Sequence, residues 1–409
     1  MVPKGWRFCK LADISRVTSG GTPNRAISEY WQNGTIPWIR TTEVQNCILQ
    51  PEDAKEYISE LGLRKSSAKL IPENTILLAM IGQGKTRGQI ALLKFEAAIN
   101  QNCAAIIFGK SQEPEFYYHY LLSQYENIRN LSNSAGQSNL SGALVKAINV
   151  LVPPYNEQKK IAQILSTWDK AISVTEKLLA NSQRQKKALM QQLLTGKKRL
   201  LDENGVRFSG EWEVVRLKQL IHEEKKRNRD NHIQRVLSVT NHSGFVLPEE
   251  QFSKRVASED VSTYKIVKKN QYGYNPSRLN VGSFARLDNY DEGVLSPMYV
   301  VFSINHERLN SDYFLNWMSS NEAKQRIAGS TQGSVRDSVG FDALCSFSFS
   351  LPTLMEQQKI AAVLSAADAE MSMLEKKLAC LKEEKKALMQ QLLTGKRRVK
   401  VESEETVSA

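Results

Sequence analysis

Apolar residues recur at alternating intervals of four and three over residues 161–193, at Ile161, Leu165, Trp168, Ile172, Leu179, Leu189 and Leu193, with Thr175, Ser182 and Lys186 in the remaining places. This spacing lays them along one seam of an α-helix. Residues 360–392 repeat the seam in more apolar form, with Ile360, Leu364, Ala367, Met371, Leu374, Leu378, Leu381, Lys385, Leu388 and Leu392. The letters KKALMQQLLTG at 186–196 return unbroken at 385–395, an offset of 385 − 186 = 199, and 24 of the 40 positions from 157 to 196 are identical at that offset. The segment is therefore one duplicated element. About 40 residues of helix make a rod of roughly 60 Å. A seam this long predicts coiled-coil packing; two surface helices, each on its own domain, would show similar spacing over a shorter length. Thr353 with Glu356 reads as a capping box, Pro153 and Pro154 precede the first copy, and Gly196 and Gly395 stop the two helices.

Outside these segments the pattern changes to short apolar runs between turn signals such as Gly20-Gly21, Asn33-Gly34 and Gly82. Residues 76–81 and 104–108 read as buried strands, and 114–130 carries aromatic and leucine positions at helical spacing. The expectation is an α+β domain over 1–152 followed by a helical spacer over 153–199. A polar, glycine-bearing linker then covers 200–210. The pattern restarts in a second domain over 211–351, where Trp212 and Leu217 stand as Trp6 and Leu11 do. There Tyr313-Phe314 and Met318-Ser319 mirror Tyr117-Tyr118 and Leu122-Ser123. A second spacer covers 352–398, and a polar tail over 399–409 is expected to be disordered. The two globular parts have diverged far more than the helices, which fits two different targets on one frame, or drift after duplication.

Composition narrows the class. Lys and Arg number 55 against 43 Asp and Glu, giving +12 and a pI near 9.3, compatible with a polyanionic partner. Five scattered cysteines without CxxC spacing, no apolar signal core and no long apolar run point to a cytoplasmic protein without a metal site or membrane span. Three enzyme-like stretches fail on inspection. Gly84-Lys85-Thr86 lacks the first glycine of a phosphate loop, since Ala79 occupies that position. Pro153-Pro154-Tyr155 follows Val152, where an amino methyltransferase needs a polar residue, and Asn275-Pro276-Ser277 lacks the second proline and the aromatic. The histidines show no ligand spacing.

Polar and basic loops remain. Gln83, Lys85 and Arg87 alternate with Gly82, Gly84 and Gly88, so backbone can approach a ligand while the side chains offer donors suited to guanine, adenine and phosphate. Asn275, Ser277, Arg278, Asn280 and Ser283 occupy the corresponding place in the second half. A second loop pair carries Gln137, Ser138 and Asn139, then Gln332, Ser334 and Arg336, and Arg40 completes the DNA-contact candidates. The clusters at 197–199, 225–227 and 396–398 read as helix-end compensation or phosphate contacts rather than base readers.

Trp6, Gly20-Gly21-Thr22-Pro23 and Ile36-Pro37-Trp38, together with the element Leu-Pro-x-x-x-Glu-Gln-x-x-Ile-Ala, resemble the specificity (S) subunit of type I restriction-modification enzymes. That element stands at Leu351-Pro352, Glu356-Gln357 and Ile360-Ala361, and nearly so at Val152-Pro153, Glu157-Gln158 and Ile161-Ala162. The resemblance implies two target recognition domains separated by an antiparallel pair of conserved helices, and no catalysis by this chain. It implies double-stranded DNA, two methyltransferase (M) subunits and restriction (R) subunits as partners, with S-adenosylmethionine, ATP and Mg held by those partners. Outward helix positions such as Gln163, Lys170 and Lys177 would remain for docking. The second domain lacks Gly-Gly-Thr-Pro and Ile-Pro-Trp, as a domain of different target would. The alternative from another class is a coiled-coil interaction scaffold without DNA specificity.

Overall fold

The computed structural model describes residues 2–82, 84–134, 139–251, 260–331 and 338–401. The chain divides into two compact units, Met1–Glu176 with Lys376–Ala409, and Lys177–Glu375. The predicted long helices are Tyr155–Leu193 and Leu354–Leu392, each of 39 residues. Each unit holds one α+β domain, the start of the helix that follows it and the end of the other helix.

In the first unit a five-stranded sheet has the order Ser15–Ser19, Cys103–Phe108, Thr75–Ala79, Ile90–Leu93, Cys47–Leu49. The two strands expected from their apolar runs pair antiparallel, Ala79 opposite Cys103. A second sheet runs Tyr57–Ile58, Ile36–Ile39, Ala97–Ile99, Leu70–Ile71. The Gly-Gly and Ile-Pro-Trp stretches lock onto it: a Cβ on Gly20 would lie 1.8 Å from the Ile99 carbonyl oxygen, and Trp38 Nε1 donates to the Gly21 carbonyl at 3.0 Å. These motifs are packing devices. The helix expected over 114–130 is two, Pro114–Ser123 and Tyr125–Ser134, broken at Gln124.

The second unit repeats the plan. Its four-stranded sheet, Ile221–Glu223, Val300–Ile304, Tyr272–Tyr274, Phe284–Arg286, matches the first four strands of the other sheet in order. Lys265–Lys268 pairs antiparallel with Glu292–Leu295, and Val294 also bridges Val236 in parallel, which reproduces the second sheet in reduced form. One correspondence shifts by a residue. Gln158 accepts from the Glu113 amide and Gln357 from the Asn310 amide, at the N-caps of Pro114–Ser123 and Ser311–Met318. Counting from these caps pairs Tyr117 with Phe314 and His119 with Asn316, not Tyr117 with Tyr313.

Both main cores reach into the helices. Phe116, Tyr117 and Leu121 pack with Ile161 and Leu165 and with Leu392 and Leu393; Phe314, Trp317 and Phe349 pack with Ile360 and Leu364 and with Leu193 and Leu194. Every seam position is buried or half-buried. Within each unit the helix segments run antiparallel: Asp169 and Glu176 pair with Lys385 and Lys382, and Asp368 and Glu370 meet Lys186 and Ser182. The polar seam residues Lys186, Lys385 and Ser182 thus have partners across the pair, and Thr175 Oγ1 donates back to Ala171. The expected linker is an ordered turn, with Leu201 bridging Arg207 and the Asp202 carboxylate accepting from the Asn204 and Val206 amides. Of the tail expected to be disordered, residues 402–409 lie outside the described residues.

Candidate nucleic-acid interface and the clasps at the helix bases

Three strand ends define one edge of each sheet. In the second unit Tyr274 lies opposite both Phe284 and Val300, so Asn275, Ser283 and Tyr299 leave the sheet together. In the first, Leu78 lies opposite Ile90 and Ala79 opposite Cys103, which places residues 80, 89 and 102 at the equivalent edge. The two loops picked from composition are therefore the same connection in the two halves. Gly88 and Gly282, with φ of +87° and +91°, turn the chain in both.

The described residues just after the second predicted loop pair reach this edge. The Leu140 amide donates to the Met80 carbonyl at 2.9 Å, and the Val339 amide to the Pro276 carbonyl at 3.0 Å. Residues distant in sequence thus meet the edge through similar backbone bonds, one residue further along the chain in the second unit. Gln83, Gln137, Ser138, Gln332, Ser334 and Arg336 lie outside the described residues.

The described candidates fall into two groups. Lys85, Asn139, Ser277, Arg278 and Asn280 are exposed, and Arg87 is half-buried. The Lys85 carbonyl accepts from the Tyr125 hydroxyl at 2.6 Å, itself held by Arg129 Nη1 at 2.9 Å, so the glycine-rich loop is anchored on the Tyr125–Ser134 helix. Asn275 caps its own turn, its Oδ1 accepting from the Ser277 amide at 3.0 Å. Two candidates leave the set. Ser283 is buried, and its hydroxyl donates to the Val239 carbonyl at 2.9 Å. Arg40 pairs through Nη2 with Glu43 at 3.1 Å and through Nη1 with Glu56 at 2.6 Å, so its charge is neutralised within the domain. The hydrogen bond that Arg40 donates to the Glu43 carboxylate raises the Arg40 pKa further. Glu43 and Glu56 are three and sixteen residues away, and only the fold brings both to Arg40.

At the helix bases the Glu-Gln signature acquires a physical role. Gln158 and Gln357 are almost fully buried; each donates to the proline carbonyl before its helix and accepts from a domain-helix cap, tying the two helix starts together. Glu356 accepts from Arg199 Nε at 2.5 Å and Nη2 at 2.7 Å and from Trp212 Nε1 at 3.1 Å. In the first unit Glu157 takes Arg398 through Nε at 2.9 Å and through Nη2, with Trp6 Nε1 at 3.3 Å. Both guanidiniums also donate to a chain-entry carbonyl at 2.8 Å, Arg199 to Gly210 and Arg398 to Lys4. The capping-box reading is half right: Thr353 Oγ1 accepts from the Glu356 amide, while the Glu356 carboxylate serves the clasp. Arg199 and Arg398, read as helix-end or phosphate groups, close these clasps instead.

No helix among the described residues is long and apolar enough to cross a membrane. A family model for the type I restriction modification DNA specificity domain matches residues 3–181 and 209–383, once per half. The specificity subunit of the Escherichia coli enzyme EcoR124I/EcoR124II is 30% identical over 174 residues, covering 41% of this chain and 42% of that protein, so the alignment spans less than half of that relative. The MjaVIII specificity subunit of Methanocaldococcus jannaschii is 23% identical over 421 residues, covering 98% of this chain and 94% of the relative. The crystal structure of a type I restriction-modification S subunit from M. genitalium has the same fold, with a TM-score of 0.60 over 96% of this chain and 99% of that one at 14% identity. Two matching domains, each followed by a copy of the same clasped helix, place this chain in the type I restriction-modification DNA specificity family.

Proposed function

We propose that the chain is the non-catalytic subunit that gives a type I restriction-modification complex its DNA sequence, each domain reading one half of a bipartite, asymmetric site. The observation that supports this reading is that the same sheet edge in both halves carries a diverged polar loop, with Lys85 and Asn139 exposed in one domain and Ser277, Arg278 and Asn280 in the other, and is met there by the residues Leu140 and Val339. Arg and Asn offer the donors that guanine and adenine edges accept in the major groove. Half-sites about one helical turn apart, roughly 34 Å, fall on one face of B-DNA. On this reading the repeated helices dock two methyltransferase subunits acting on adenine N6, with outward positions such as Gln163, Lys170 and Lys177 exposed for contact. The methyl donor, ATP and Mg then belong to the methyltransferase and restriction subunits.

Genome-wide detection of N6-methyladenine in cells with and without this chain, alongside a methyltransferase subunit, tests the proposal. A bipartite motif should vanish on deletion, and exchanging residues 1–152 should alter one half only. Lengthening both helices by one heptad, roughly 10 Å, should widen the unread gap by about three base pairs. Binding without sequence preference or steep salt dependence would refute DNA reading and favour an interaction scaffold.

A further inference from the structure

The reading edge of the second domain carries apolar as well as polar groups. Val281, at the end of the Pro276–Val281 turn, is 60% exposed, and Met298 is 64% exposed. Met298 stands two residues before Val300, which lies opposite Tyr274, and Asn275 follows Tyr274 directly. Asn275 Nδ2 lies 4.0 Å from the Met298 sulfur, which places Met298 beside the turn from which Ser277, Arg278 and Asn280 project. The first domain shows the same mixture, with Ile81 38% exposed after Met80 and Lys85 exposed in the same loop.

Single exposed apolar residues need no explanation. What sets Val281 and Met298 apart from other exposed apolar residues such as Val214 and Met373 is their place at the sheet edge among donors suited to base edges, where a partner of matching chemistry would cover them. Among the unmodified bases, the only apolar group on a base edge is the thymine 5-methyl, and it lies in the major groove, where Arg and Asn read guanine and adenine. We propose that Val281 and Met298 form the apolar part of the second half-site reader and take the 5-methyl group of a thymine. This rests on the DNA-reading function proposed above and deepens it by naming a base feature. A wedge between base pairs would use the same residues but would not depend on the methyl group.

The test uses the full chain assembled with its methyltransferase subunits. The half-site that changes when residues 211–351 are exchanged is synthesised with each thymine replaced in turn by deoxyuridine, which removes only the methyl. One replacement should weaken binding about fourfold, the value of one buried methyl-sized group. That loss should disappear in the Val281→Ala, Met298→Ala double variant, whose exposed positions leave the core intact. Three results would overturn the inference: a half-site with no thymine on either strand, no replacement that weakens a still specific complex, or an equal penalty in the double variant. Loss of all sequence preference in the unsubstituted complex would instead defeat the DNA-reading function, and this inference with it.

Discussion

Arg199→Ala and Arg398→Ala remove the same group from two copies of one clasp and should have unequal consequences. Glu356 is 1% exposed and its Arg199 partner 20%, whereas Glu157 is 6% exposed and Arg398 42%. Removing one partner of a buried pair leaves an uncompensated charge and costs roughly 3–5 kcal/mol. Trp212 Nε1 stays on Glu356 and offsets part of this, so Arg199→Ala should cost about 3 kcal/mol. In the first unit water reaches the guanidinium, screening the pair, and Arg398→Ala should cost about 1 kcal/mol. A chain of two units has no single unfolding free energy, so the measurement is local: native-state hydrogen exchange at the last-turn amides of Leu194 and Leu393, which donate to Met190 and Met389. Exchange at Leu194 should quicken about 150-fold in Arg199→Ala, and at Leu393 about fivefold in Arg398→Ala. Equal acceleration, or a larger effect from Arg398→Ala, would refute the argument from burial.

Other expectations can be checked independently. Burial, with the nearby Lys385 ammonium, depresses the His119 pKa from 6.5 to about 3 against an opposing pull from Glu115. The folded chain thus keeps a neutral imidazole, faced by Asp169 at 3.8 Å, while the unfolded chain takes up a proton below about pH 6.5. This stabilisation is whole above pH 6.5 and declines as pH falls toward 3. His119→Asn, which installs the residue found at the matching position of the second domain, should remove up to about 1.4 kcal/mol per pH unit of slope between pH 6 and 4 in first-unit stability; an unchanged slope counts against it. Gly20→Ala drives a Cβ against the Ile99 carbonyl and should destabilise the first domain by about 1–3 kcal/mol, seen as a lower first transition in calorimetry. If the DNA-reading function holds, Arg278→Ala should relax one half of the methylated motif and leave the other intact, and a change in both halves would argue against independent domains.

The helices were legible because a seam is a local property: spacing alone distinguishes it, and the repeat confirms its length. The sheet order was less so. The two strongest apolar runs gave Thr75–Ala79 and Cys103–Phe108, but nothing in either run names its partners. Arg40 looked like a DNA contact because arginine in a polar stretch reads the same whether or not carboxylates meet it in space. Glu356 looked like a capping residue because Thr353 stands three places before it, while its guanidinium partner lies 157 residues away in sequence. Burial of Ser283 was equally hidden, since serine carries no apolar signal and Val239 belongs to a distant strand.

The duplication supplies a criterion that single residues do not. Positions identical at the offset of 199 include the Glu-Gln pairs, the Asp169 and Asp368 partners of Lys385 and Lys186, and the glycines that end the helices. The Glu-Gln pairs have buried, directional contacts, the aspartates are ion-paired with lysines across the helix pair, and the glycines hold φ of +69° and +67°; the buried contacts in particular tolerate little change because a half-satisfied buried charge is worse than none. The sheet edges have the opposite economy of constraint. The backbone bonds that join their loops, Leu140 to Met80 and Val339 to Pro276, require no particular side chain, so those positions can diverge while the edge keeps its shape. A scaffold fixed by side-chain chemistry and a variable surface fixed by backbone is what lets one duplicated frame carry two diverged specificity domains.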